Sequence, residues 1–89
     1  MKLEMRKDRA ILLDDKKVVG YCSYVEEGDV WKIDHTVVEE AYQGQGLAKK
    51  VFLKVVEEAR KQGKRIVPVC SYAIHQFEKH ESLQDVLKG

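Results

Sequence analysis

Apolar and polar positions alternate along the first half of the chain and then change period. Residues 9–13, RAILL, form a short apolar run closed by the turn-rich DDKK at 14–17. VVGYCSYV at 18–25 is β-branched and aromatic and reads as a strand, with Gly20 its weak point. EEGD at 26–29 supplies a turn, and VWKIDHTVV at 30–38 alternates after it. Trp31, Ile33, His35 and Val37 fall on one face of that strand, Lys32, Asp34 and Thr36 on the other. The two runs predict a hairpin in the middle of a small antiparallel sheet. MKLEMR ahead of them is expected to add an edge segment.

From Gly46 onward the period is helical. Leu47, Ala48, Val51, Phe52, Val55, Val56 and Ala59 recur at three- and four-residue steps, and only Leu53 strays from their face. Lys49, Lys50, Lys54, Glu57, Glu58 and Lys61 take the other side. Gly63 ends this helix among the cations Arg60, Lys61 and Lys64, which suit a C-terminus. RIVPV at 65–69 is a buried strand with Pro68 near its end. CSYAIHQFEKH reads as a second helix with Ala73, Ile74 and Phe77 inward, and SLQD at 82–85 caps a last short turn. The order β-β-β-α-β-α predicts an α+β fold, a small mainly antiparallel sheet with two main helices.

Composition narrows the class without changing this picture. The 89 residues, 44% hydrophobic and 35% charged, read as a single domain spanning 1–89. A formal net charge of +1 gives no electrostatic call for nucleic acid or an anionic membrane. No apolar run reaches a membrane span, and MKLEMRKDR lacks the apolar core of a signal peptide. Cys22 and Cys70 are too few and too far apart for a disulfide framework, so free thiols in a reducing cytoplasm are expected.

The chemistry concentrates in AYQGQGLAKKV at 41–51, where two glycines stand between a strand and an amphipathic helix. Gly44 and Gly46 let the backbone turn tightly and let a ligand approach its N–H groups. The first amides of the helix have no internal partners, and the macrodipole places partial positive charge there, so an anion fits. Lys49 and Lys50 lie within reach. A glycine turn that merely starts a helix remains the plain alternative, and any phosphate-bearing ligand satisfies the same physics. A dinucleotide fingerprint lacks its third glycine and its βαβ setting, and a Walker loop lacks its G-K-[ST] ending.

Gln43-x-x-Gly46-x-Ala48 resembles the Q/R-x-x-G-x-G/A motif of GNAT-type N-acetyltransferases. Cys70-x-x-Ala73-x-x-x-Phe77 is similar to the N-x-x-A-x-x-x-Y that opens that fold's next helix. The resemblance covers about residues 30–80 and implies a minimal GNAT-like acetyl-CoA-binding fold. It implies a cofactor site around Gln43 and Gly44, with the amides of Gln45, Gly46, Leu47, Ala48 and Lys49 holding the pyrophosphate. It also implies that Val37 and Val38 pair with the pantetheine like an added strand. Two helices between the first strands and the terminal strands of full-length relatives are missing, and Phe77 and Cys70 replace the motif's tyrosine and asparagine. DHT at 34–36 and PVC at 68–70 resemble elements of a very short, cysteine-containing subfamily.

Cys70 and His35 are the candidate catalytic residues. Cys70 follows a strand at or just before a helix N-terminus, which stabilises a thiolate; a small buried hydrophobe is the alternative. His35 lies on the strand expected beside the pantetheine, where a neutral imidazole accepts a proton from an amine or from Cys70; alternatively it is a bonded histidine of the sheet. Cys70, His75 and His80 give C-x4-H-x4-H, but the helical spacing splays the histidines and no fourth ligand is evident, so no metal is expected. Tyr72 and Cys22 read as packed core residues. The expected function is transfer of acetyl from acetyl-CoA to an unspecified amine, directly or through Cys70; the alternative is a non-catalytic acetyl-CoA-binding module. A monomer or weak homodimer is expected.

Overall fold

The alternation up to Ile33 and the helical period after Gly46 both materialise in the computed structural model, which describes residues 1–88. Gly89, the last residue of the expected 1–89 domain, lies outside the described residues. The strands are β1 (Lys2–Met5), β2 (Arg9–Asp14), β3 (Lys17–Glu27), β4 (Val30–Val38) and β5 (Arg65–Pro68). They form one sheet in chain order; the first four pair antiparallel, and β5 lies parallel to β4. The amphipathic segment forms α1 (Leu47–Lys61), and α2 (Ser71–Lys79) follows β5. Short 3-10 turns occupy Glu40–Tyr42 and Glu81–Val86.

Both helices cover the same face of the sheet. Leu47, Val51, Phe52, Val55, Val56 and Ala59 of α1 pack on Ala10, Leu12, Cys22, Tyr24, Trp31, Ile33 and Ile66. Phe52 meets Tyr72 and Phe77 of α2 edge-on, with ring centroids 5.7 and 5.8 Å away, a geometry aromatic quadrupoles favour. The run from β4 through α1 to a parallel β5 is the crossover that a parallel pair requires. Among the described residues no helix covers the opposite face, which carries Tyr21, Val25, His35 and Val37. No helix among the described residues is long and apolar enough to cross a membrane.

α1 ends as its sequence predicts. Gly63 adopts φ 69°, the Lys64 amide donates to Ala59 at 2.8 Å, and the Gly63 amide donates to Arg60 at 3.3 Å. That pair of bonds is the Schellman arrangement, which satisfies carbonyls the helix leaves unpaired. In α2 the phase differs from expectation: Ala73, Gln76 and Phe77 are buried, and Ile74 is 41% exposed. The helix turns its 73–76–77 stripe toward Phe52, and Ile74 then falls about 100° away from Ala73.

The larger departure is in β4. Ser23 pairs with His35, and Tyr24 pairs with Ile33, so Asp34 is an extra residue on β4. A bulge of this kind shifts every later side chain to the other face. Trp31 and Ile33 face the helices, as alternation predicts. Beyond the bulge Thr36 and Val38 take that side, while His35 and Val37 are exposed on the open face. Ser23 Oγ donates to Asp34 Oδ1 at 2.7 Å and anchors the bulged residue.

Candidate functional site

The loop from β4 to α1 is built to leave its amides free. Gly44 and Gly46 adopt φ 84° and 74°, left-handed values that side-chain-bearing residues rarely accept. Gly46 is the N-cap of α1, and among the described residues no side-chain cap bonds the helix's opening turn. The first N–H groups of α1 therefore point outward unpaired, and the dipole adds to their positive potential. Gln43 secures the loop from behind: its Nε2 donates to the Val38 carbonyl at 3.0 Å. Tyr42 secures the other side, its hydroxyl donating to Asp14 Oδ2 at 2.6 Å; this bond to a carboxylate raises the Tyr42 phenol's pKa.

These residues enclose a cleft of about 230 Å³, lined by Val38, Tyr42, Gln43, Gly44, Gly46, Leu47, Ala48, Lys49 and Tyr72. Seven of the nine residues expected to hold the cofactor thus line one cleft. Gln45 is not among its walls. Val37 points to the open face and borders a separate hollow of about 250 Å³ with Val18, Tyr21 and Glu39. A backbone pairing by Val37 is unaffected by where its side chain points.

That backbone is available. The last β4–β5 pair is Ile33 with Pro68, and beyond it the two strands part. The Ile33 carbonyl accepts the amides of both Val69, at 2.9 Å, and Cys70, at 3.1 Å, as the chain leaves the sheet. Among the described residues the β5-facing edge of β4 beyond Asp34 has no strand partner, the situation in which an extended ligand can add as a strand.

Cys70 stands at this divergence. It is the N-cap of α2 in extended conformation, and its Sγ accepts the Ala73 amide at 3.4 Å. Thr36 Oγ1 lies 3.7 Å from Cys70 Sγ and donates to Cys22 Sγ at 3.5 Å. Both cysteines are free; Cys22 is buried and Cys70 half-buried. Burial pushes the Cys22 thiol up to about 12, partly offset by the Thr36 bond. Burial likewise raises the Tyr72 phenol above its usual value of 10.

The bulge separates the two candidate catalytic residues. Thr36 and Cys70 lie on the helix side, so the neighbouring His35 projects from the other face. The expectation that His35, Trp31 and Ile33 share a face is corrected by the extra residue Asp34, and so is a direct proton transfer from Cys70 to His35. Alternation misses Tyr42 and underrates Tyr72 and Thr36. The Tyr42–Asp14 contact joins residues 28 apart in the chain, beyond the reach of a local pattern.

A family profile described as GCN5-related N-acetyl-transferase matches residues 8–86. The chain belongs to this family. It shares 32% identity with a GCN5-like protein from Staphylococcus aureus solved by NMR, with a TM-score of 0.79; the match covers 99% of this chain and 88% of that one. The YhbS GNAT family N-acetyltransferase of Escherichia coli, solved in complex with CoA, is 22% identical with a TM-score of 0.66, over 76% of this chain and 42% of that one. The ribosomal-protein-S18-alanine N-acetyltransferase of Escherichia coli is 20% identical with a TM-score of 0.67, over 80% of this chain and 49% of that one. The chain thus spans under half of either Escherichia coli enzyme, and at these identities the likeness is one of fold. No curated protein matches the chain.

Proposed function

We propose that the chain binds acetyl-CoA in the cleft between β4 and α1 and passes its acetyl group to an amine by way of Cys70. The observation that carries this reading is continuity: one cleft begins at the uncapped turn of α1 and includes Tyr72, two residues from the Cys70 sulfur. The family membership and a CoA-bound structural relative support it. The diphosphate rests on the amides of Gln45 to Lys49, and the pantetheine lies along the free edge of β4 at Val37 and Val38.

Acetyl-CoA supplies an activated acetyl thioester. The Cys70 thiolate attacks its carbonyl carbon, forming a new C–S bond while the bond to the CoA sulfur breaks and CoA leaves. The acceptor nitrogen then attacks S-acetyl-Cys70; a C–N bond forms and the Cys70 sulfur departs as thiolate. His35, on the open face where strands β4 and β5 have parted, takes the proton the amine gives up. Incubation with acetyl-CoA followed by intact-mass analysis tests the first step. One added acetyl group, absent in Cys70→Ser, is expected; a chain that binds acetyl-CoA yet never gains that mass overturns transfer through Cys70.

A second reading has its own observation. Phe77 occupies the motif position that resembles the family's tyrosine, and it is buried against Phe52 with no proton to give. A non-catalytic acetyl-CoA-binding module fits that loss. Tight CoA binding without acetyl release to any of a panel of primary amines and peptides is its expected signature.

A further inference from the structure

Thr36 sits between two sulfurs with one proton to share. Its Oγ1 donates to Cys22 Sγ at 3.5 Å, and at the 3.7 Å contact with Cys70 Sγ either atom can be the donor. While Cys70 is a thiol, its own S–H serves the second contact and Thr36 gives its proton to Cys22. A thiolate at Cys70 has no proton and only accepts. Thr36 then has two acceptors and one O–H, and charge decides between them, because a bond to an ionised acceptor is roughly twice as strong as one to a neutral acceptor. Cys22 competes only as a neutral sulfur: burial pushes its thiol up to about 12.

The three groups do not form a disulfide pair with an accessory hydroxyl. Cys22 lies on β3 and Cys70 just past β5, with β4 between them. Both are free thiols, and each reaches the Thr36 hydroxyl. One position of Thr36 Oγ1 lies within reach of both sulfurs, and rotation of its O–H about the Cβ–Oγ1 bond is the motion this geometry offers.

We propose, resting on the reading of Cys70 as acetyl acceptor, that Thr36 is a two-position hydrogen-bond donor whose proton turns from Cys22 to Cys70 when Cys70 ionises. The Cys70 thiolate is then held by two donors, the Ala73 amide and the Thr36 hydroxyl. The proton Cys70 releases goes to solvent at the half-exposed mouth of the site. Acetylation leaves an uncharged thioester sulfur, and the Thr36 proton returns to Cys22. Cys22 is therefore a positioning residue: it holds the donor in readiness and competes with Cys70 for it.

The test is the rate at which iodoacetamide alkylates Cys70 in the full chain at fixed neutral pH, with the modified residue located by peptide mass. Thr36→Val slows alkylation about tenfold, the consequence of losing one hydrogen bond to a charged acceptor. Thr36→Ser keeps the wild-type rate. Cys22→Ala, which removes the competing sulfur, speeds it. Loosened packing exposes the sulfur and accelerates both Thr36→Val and Cys22→Ala, so opposite signs identify the switch. If Thr36→Val fails to fold, Thr36→Ala carries the same expectation. An unchanged or faster rate in the Thr36 variant, or a slower one in Cys22→Ala, overturns the proposal. The acetyl reading fails separately: the wild type then shows this alkylation pattern but gains no acetyl group from acetyl-CoA.

Discussion

The Ile33 carbonyl holds the Cys70 amide at 3.1 Å, one residue before Asp34 bulges out of β4. Two consequences follow from that single juncture. The bond draws the start of α2 against the sheet, which places the Cys70 sulfur beside Thr36. The bulge turns the next side chain, His35, to the opposite face. In the mechanism proposed above, the nucleophile Cys70 and the base His35 then stand on different faces of the sheet and act in different steps.

This separation predicts that the two half-reactions come apart by mutation. His35→Ala leaves acetyl loading of Cys70 at the wild-type rate and lowers transfer to amines by about a hundredfold, the smaller end of general-base contributions. Cys70→Ser abolishes loading. Rapid-quench intact mass reads the first step and acetyl-amine formation the second. Equal slowing of both steps by His35→Ala refutes the division of roles.

Gly46 predicts a joint effect on stability and binding. Its φ of 74° leaves open space around an added Cβ, so the penalty of Gly46→Ala is backbone strain and not a clash. Forcing an L side chain into that region costs about 1 kcal/mol of stability. A loop that relieves the strain by shifting also turns its amides away from a bound diphosphate, and CoA affinity falls with it. Urea melts and calorimetric titration with CoA check the two effects; a stable Gly46→Ala with undiminished CoA affinity contradicts the amide site.

Much of this site is legible before any coordinates, because helices and strands that bury one face write their period into the chain. The stripe from Leu47 to Ala59, the cap position of Cys70 and the bare glycine turn all follow from residue type and spacing. The bulge does not. Residues 35–38 are half-exposed or exposed on both faces, so His-Thr-Val-Val carries no contrast to reveal that the alternation has slipped by one. Ile74 misleads for a related reason: α2 is short, and its phase is set by Phe52 across the interface, where Gln76 is buried instead. What escapes local pattern is decided by contacts between distant segments.

Cys22 predicts a specific alkaline weakness. Burial raises its thiol from 9.0 in the unfolded reference to about 12, so between those values the folded chain holds a proton that the unfolded chain has lost. The associated stability is complete below pH 9 and is lost as pH climbs toward 12, with a slope approaching about 1.4 kcal/mol per pH unit. Urea melts from pH 8 upward are expected to show the wild type losing this increment and Cys22→Ala losing none of it. The same burial leaves Cys22 unmodified by a thiol reagent while the chain is folded. Parallel pH profiles for the two proteins contradict the assignment.

Gln43 separates loop order from fold stability. Its side chain is exposed, and its one hydrogen bond runs from Nε2 to the Val38 carbonyl, joining the glycine loop to the end of β4. Removing an exposed bond of this kind changes global stability by about 0.5 kcal/mol or less. The loop it holds has no other side-chain tie between Gln43 and the first turn of α1 among the described residues. Ordering that loop must then be supplied by the ligand, which binds more weakly by the free energy the Gln43 bond had contributed. Gln43→Ala is expected to keep the urea midpoint close to wild type while its CoA dissociation constant rises about twofold, the same ~0.5 kcal/mol or less. Gln43→Glu, which sets a carboxylate against the Val38 carbonyl and near the diphosphate, weakens binding further. Backbone amide exchange of Gly44 to Ala48, faster in Gln43→Ala without CoA and equal to wild type with it, distinguishes lost preorganisation from a lost ligand contact.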